Sequence, residues 1–239
     1  MSIATSLATN LASVAKRGAT ALLPQDCFLC AGPGGDNLLC PSCTVSLPRL
    51  TTERCPLCAL PTPGASICGA CLKRAPHFDA TLAVFRYEFP VDRLIQSLKY
   101  AHRLASADFF GRALEQIAAG CRPDLIVPVP LSAARLAQRG FNQALEIARP
   151  LARSLGAPLE ISRIYRQRDT APQASLPWKE RMKNIRHAFD CTIDLTGKTV
   201  LLVDDVMTTG ATLDELARTL KAHGAARVEG CVLARALKA

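Results

Sequence analysis

Eight cysteines in the first third of the chain carry one spacing twice. Cys27, Cys30, Cys40 and Cys43 read C-x2-C-x9-C-x2-C, and Cys55, Cys58, Cys68 and Cys71 repeat it, each displaced by 28 residues. A fixed period of that length marks two copies of one supersecondary unit. A C-x2-C pair forms a knuckle that turns two thiolates toward one point, and two knuckles complete a tetrahedral four-sulfur site. Zinc suits such a site, being redox-inert and stable in closed thiolate coordination. The usual iron–sulfur spacings differ. With every coordination position taken by protein, the expected Zn2+ is structural, and two ions are expected. Gly32, Pro33, Gly34 and Gly35 in the first copy, and Pro61, Pro63 and Gly64 in the second, supply turns. A hairpin held by metal rather than by a core has that composition. Spacing alone leaves open whether each copy binds its own ion or the two interleave.

At 239 residues, 49% of them hydrophobic and 21% charged, the chain has enough material for one substantial folded domain and a small appendage. It has no apolar run of transmembrane length, so no membrane-spanning helix is expected. Residues 1–24 place Ile3, Leu7, Leu11 and Val14 on one helical face, followed by Lys16 and Arg17. An amphipathic helix is expected there, with its basic residues on the wrong side for a secretory signal. The expected compartment is therefore the cytoplasm, where thiols stay reduced and available as ligands. Cys121, Cys191 and Cys231 lie in apolar contexts and are expected to be buried thiols.

The metal module is expected over 25–75 and an α/β domain over 76–239. Strand character over Phe78–Tyr87, Asp124–Val129, Thr199–Val203 and Val228–Ala234 alternates with helical periodicity over Val91–Lys99, Ala107–Ala119, Phe141–Leu155 and Leu213–Leu220. Such alternation gives a parallel sheet with helices on both faces, and ligands then bind beyond the carboxyl ends of the strands. One such end reads Val203-Asp-Asp-Val-Met-Thr-Thr-Gly-Ala-Thr212. It delivers two carboxylates, Asp204 and Asp205, which can accept hydrogen bonds from vicinal sugar hydroxyls. Thr208, Thr209, Gly210, Ala211 and Thr212 then lead into a helix, whose free N–H groups and neighbouring hydroxyls form a phosphate site. Together they suit a ribose 5-phosphate. The formal charge is +9, and residues 131–186 hold eleven basic side chains against four acidic ones. A polyanionic partner fits that bias, as does an Arg-rich solvated surface.

The acidic-hydroxyl run resembles the phosphoribosyl-pyrophosphate (PRPP) signature of type I phosphoribosyltransferases. Val127-Pro-Val-Pro-Leu131, Arg135 and Arg139-Gly-Phe-Asn-Gln143 resemble the pyrophosphate-loop region of the ComF/GntX subfamily, which also carries a double zinc ribbon. Lys99-Tyr100, Arg168, Gln173 and residues 181–189 extend the similarity, so that it covers most of Cys27–Arg235. The resemblance implies a type I phosphoribosyltransferase fold that binds PRPP with Mg2+ and transfers phosphoribosyl to a small-molecule acceptor. It places Asp204 and Asp205 on the ribose hydroxyls and Thr208–Thr212 around the 5-phosphate. Val129, Pro130 and Leu131 fall against the pyrophosphate, with Lys99, Arg135 and Arg139 as its charge partners and catalytic set. Residues 168–186 are then expected to close over the site. A glycine is expected soon after Lys99-Tyr100, where Ala101-His102-Arg103 stands instead. The same resemblance allows a second function, DNA uptake in competence. Single-stranded DNA or DNA-uptake proteins are then the partners, and the PRPP site is regulatory or vestigial.

Overall fold

Both cysteine repeats open with the same turn, built from the same hydrogen bonds. In the first, the Cys27 N–H donates to the Gly32 carbonyl at 2.7 Å and Ala31 donates to Cys27 at 2.9 Å. In the second, Cys55 donates to Leu60 at 2.7 Å and Ala59 to Cys55 at 2.9 Å. The tightness of this knuckle forces the residue after its second cysteine into the left-handed region, with φ of 56° at Ala31 and 57° at Ala59. An alanine there costs about 1–2 kcal/mol. Each second cysteine pair instead opens a short helix, α1 (Pro41–Val45) or α2 (Gly69–Lys73), with Cys40 and Cys68 at the N-caps.

A computed structural model describes residues 25–35, 38–100, 105–168 and 185–237. The expected N-terminal helix over 1–24, Ala101-His102-Arg103, and residues 169–184 of the segment expected to close over the site lie outside the described residues. The chain divides into two compact units, Met1–Leu47 and Pro48–Ala239. The first unit pairs β1 (Gln25–Asp26) with β2 (Pro33–Gly35), antiparallel, around the first cysteine repeat.

In the second unit, the second repeat leads directly into the α/β fold. Strands β3 (Ala80–Arg86), β4 (Leu125–Pro128), β7 (Thr199–Met207) and β8 (Arg227–Arg235) form one sheet in the order β3-β8-β7-β4. All three pairings are parallel. Between them run helices α3 (Val91–Tyr100), α4 (Ala105–Ala118), α5 (Ala133–Arg139), α6 (Gln143–Leu155) and α7 (Ala211–Ala222). A small antiparallel hairpin, β5 (Ile164–Arg166) with β6 (Phe189–Cys191), stands apart from the main sheet. Helices α4 and α6 approach so closely that a Cβ added at Gly111 would lie 2.2 Å from Pro150 Cγ. Among the described residues, no helix is long and apolar enough to cross a membrane.

Three expectations shift. Strand β7 does not stop at Val203 but runs through both acids, because Asp204 pairs with Val232 and Met207 with Arg235 on β8. Cys191 and Cys231 are buried as expected, whereas Cys121 is only half-buried, lying just beyond the C-terminus of α4. Residues around the second repeat do not form a free-standing ribbon. Cys55, Cys58, Ala59 and Cys71 share one core with Phe78, Val129, Met207 and Val232. Metal ligation and hydrophobic burial are thus joined in that half of the module.

Candidate functional site

Parallel pairing of Pro128 with Val203 sets the end of β4 beside the middle of β7, which runs on past it at the carboxyl edge of the sheet. In that continuing stretch of β7, each acid accepts a hydrogen bond from the residue that follows it. Asp205 N–H reaches Asp204 Oδ1 at 2.9 Å, and Val206 N–H reaches Asp205 Oδ1 at 2.9 Å. Asp205 is buried, and its Oδ2 is ion-paired with the Lys99 ammonium from the last turn of α3. Burial by itself would depress the Lys99 pKa, but the Asp205 carboxylate overrides it and holds the ammonium above its usual value. Asp204 is half-buried, and its carboxyl is pushed up to about 8, first by desolvation and then by the negative charge of Asp205. Two adjacent acids therefore differ in kind: one compensated by a lysine, the other strongly basic for a carboxylate.

Beyond Met207 the chain turns through exposed Thr208 and half-buried Thr209 into α7. Thr209 Oγ1 accepts from the Ala211 N–H at 3.2 Å, and Gly210 caps the helix with φ of 82°. A Cβ at Gly210 would stand 2.6 Å from Met207 Cε and 3.7 Å from the Phe78 ring. The loop lines a shallow, solvent-open concavity between Asp204 and the first turn of α7. The N-terminal end of the twelve-residue helix α7 faces that concavity. Further along, Asp214 anchors the segment that leaves the second repeat. Its Oδ1 accepts from the His77 N–H at 2.7 Å and lies 2.9 Å from His77 Nδ1.

On the β4 side, the Val129 N–H continues the pairing to the Val203 carbonyl at 2.9 Å. Pro130 and Leu131 then lead to Ser132 at the N-cap of α5, which carries half-buried Arg135 and Arg139. The Arg-Gly-Phe-Asn-Gln run is a helix–helix joint: Arg139 ends α5, Gly140 closes it, Asn142 caps α6 and Gln143 begins it. Asn142 does two tasks at once. Its Oδ1 accepts from the Ala144 N–H at 3.0 Å while its Nδ2 donates to the Val129 carbonyl at 3.1 Å. Arg139 Nη1 donates to Gln143 Oε1 at 2.5 Å.

Lys99, Asp204 and Asp205 thus come together, with the Thr208–Thr212 loop continuing from the same strand. Val129, Pro130 and Leu131 follow the neighbouring strand at the same edge. Reading the sequence missed the roles of Asn142, Phe78, Asp214 and Arg235. An N-cap signal did precede the apolar periodicity of α6 and could have found Asn142.

Each cysteine repeat gathers its own four sulfurs, all within 4.8 Å of one another, so the two sites are sequential rather than interleaved. Four ligands about 2.3 Å from a tetrahedral zinc stand about 3.8 Å apart. The Cys30–Cys40 sulfurs are 3.8 Å apart and the Cys58–Cys68 sulfurs 3.5 Å. Both donor sets fit a structural Zn2+.

Family models match a double zinc ribbon domain over residues 19–72 and a phosphoribosyl transferase domain over residues 141–239. The DNA utilization protein YhgH of Salmonella typhimurium is 35% identical over 225 residues, covering 90% of this chain and 99% of the relative. The chain belongs to the ComF/GntX family. Competence protein F of Haemophilus influenzae is 32% identical over 72% of this chain and 80% of its own length. Competence protein ComFC of Bacillus subtilis is 29% identical over 84% and 85%. The family explains the pairing of a double zinc ribbon with a phosphoribosyltransferase domain in one chain.

Proposed function

We propose that this ComF/GntX-family protein binds PRPP with Mg2+ and transfers its phosphoribosyl group to a small-molecule acceptor. One observation carries the reading: a lysine-compensated acid pair in the last half of a sheet strand precedes a hydroxyl-lined loop at a helix N-terminus. Asp204 accepts hydrogen bonds from the ribose 2′- and 3′-hydroxyls, and Asp205, held by Lys99, fixes the strand end that presents it. The amides and hydroxyls of Thr208, Thr209, Gly210, Ala211 and Thr212 cradle the 5-phosphate. Val129, Pro130 and Leu131 back the pyrophosphate, with Arg135 and Arg139 supplying charge. As the bond from ribose carbon 1 to pyrophosphate breaks and a bond to the acceptor forms, charge accumulates on the leaving oxygens. Mg2+ brought in with PRPP would supply part of the neutralising charge. The protein's share is positioning and fixed electrostatics rather than proton transfer.

The second zinc site, in the same compact unit as the pocket, would shape its acceptor side, in the reducing cytoplasm we infer for this chain. Titration calorimetry with Mg2+ and PRPP tests the proposal. Binding is expected for the wild-type protein and none for the Asp204→Ala, Asp205→Ala double variant; undiminished binding in that variant would sink the assignment. Released pyrophosphate, followed across candidate acceptors, then identifies the reaction.

The relatives named for DNA utilization and competence, with the basic excess over residues 131–186, favour a second reading in which single-stranded DNA is a partner. Counterion release then gives a steep fall in affinity with rising salt. A flat salt response, or no binding at low salt, removes that reading.

A further inference from the structure

Arg235 closes β8 with a buried guanidinium whose hydrogen bonds run in two directions. Nε donates to the carbonyl of Cys58, inside the second cysteine knuckle, at 2.8 Å. Nη1 donates to the carbonyls of Met207 at 3.0 Å, Thr208, and Ala236 at 2.7 Å. One rigid cation therefore ties a metal ligand's backbone to the last residue of β7 and the first of the phosphate loop. Zinc held by Cys55, Cys58, Cys68 and Cys71 would fix the knuckle that presents the Cys58 carbonyl, and with it the anchor of the Arg235 guanidinium. A second, separate link runs through the chain leaving Cys71. Arg74 and His77 pair with Asp214 in the first turn of α7, at 3.7 and 2.9 Å, and Phe78 packs beside Gly210.

We infer that Arg235 is a positioning residue through which zinc in the second cysteine cluster holds the 207–212 loop in its ligand-ready form. Zinc content then regulates the phosphate site, and an occupied site in turn retains the zinc, since coupling between two sites is reciprocal. The hydrogen bonds of Arg235 named above reach the second cluster, so the first serves as the internal control. Only the ligand half of this inference rests on the PRPP reading; the order of the loop does not.

The test uses the full zinc-loaded protein, with metal content measured, as wild type, Arg235→Lys and Arg235→Gln. Amide hydrogen exchange over 207–212 is expected to rise on the order of tenfold in Arg235→Gln with both zincs retained. Exchange in β7 over 200–203 should stay unchanged, and Arg235→Lys should restore part of the loop protection. In the wild type, Mg2+ with PRPP should slow chelator extraction of one zinc several-fold and leave the other alone. This second measurement needs no variant, so a misfolded Arg235→Gln does not stall the test. Equal loop exchange in folded, zinc-loaded wild type and Arg235→Gln overturns the inference. So does PRPP binding, seen by calorimetry, that leaves both extraction rates unchanged. If calorimetry shows no PRPP binding, the proposed function fails. Exchange over 207–212, compared among folded, zinc-loaded wild type, Arg235→Lys and Arg235→Gln, then decides the coupling alone.

Discussion

Lys99 meets the Asp205 carboxylate directly, while Asp204 feels that lysine only as a smaller influence beneath burial and the charge of Asp205. Asp204 therefore holds a proton in the folded chain over a range where it would lose it unfolded. Between the ordinary aspartate value near 4 and about 8, the native state binds more protons, so this residue's contribution to stability falls as pH rises through that window. Above about 8 the penalty is complete and flat. Asp204→Asn removes it, so the variant's thermal midpoint should gain on wild type between pH 5 and pH 8.5. An unchanged gap between the two proteins at those pH values would show that Asp204 titrates normally. If the proposed site binds PRPP, calorimetry should show its affinity for the wild type rising toward pH 8, because sugar hydroxyls need an acceptor carboxylate. Gly210→Ala acts by geometry instead. A left-handed alanine costs about 1–2 kcal/mol, and its methyl collides with Met207 Cε at the head of the loop. Calorimetry should show PRPP affinity falling on the order of tenfold, a loss near 1.4 kcal/mol, while the fold persists.

The longer elements were legible because their apolar residues repeat at a helical or strand period. Helix α6, with Asn142 before it and Gly156 after it, starts two residues later than the expected Phe141 and ends where expected. Helix α5 was not read because Ala133–Arg139 is short and presents no apolar stripe. The β5–β6 hairpin escaped for a similar reason, with three residues in each strand and partners 25 positions apart at Tyr165 and Asp190. At the joint between α5 and α6, Asn142 offers a separable test. Its oxygen caps α6 and its amide nitrogen holds the Val129 carbonyl. Asn142→Asp preserves the cap and loses the donor, whereas Asn142→Ala loses both. Asn142→Ala should cost about 1 kcal/mol of stability in denaturant melts and Asn142→Asp much less. Both should weaken PRPP binding alike if the Val129 tie positions the pyrophosphate loop. A fully bound Asn142→Asp would confine Asn142 to helix capping.

Across the whole molecule, the sequence repeat is exact in ligand spacing and unequal in consequence. Each copy gathers four sulfurs by the same knuckle, yet the first belongs to the unit ending at Leu47 and the second to the unit that contains the sheet. That inequality was not legible, because it depends on contacts such as Cys58 with Arg235, 177 residues apart. From spacing alone, zinc loss is expected to unfold residues 27–71 and spare the α/β domain. The packing divides that expectation in two. Removing the first site with Cys30→Ser, Cys43→Ser should leave residues 48–239 folded, with one zinc per chain and an unaltered main melting transition. Removing the second with Cys58→Ser, Cys68→Ser takes ligands from a core that also holds Phe78, Met207 and Val232. Structural zinc binding contributes folding free energy on the order of 10 kcal/mol, comparable to the whole stability of a domain. The second pair of substitutions should therefore lower the main transition sharply or abolish it. Zinc analysis with calorimetric melting of both variants reads the two effects together. Equal melting of the two would mean that the second site, despite its place in the core, supports only its own knuckle.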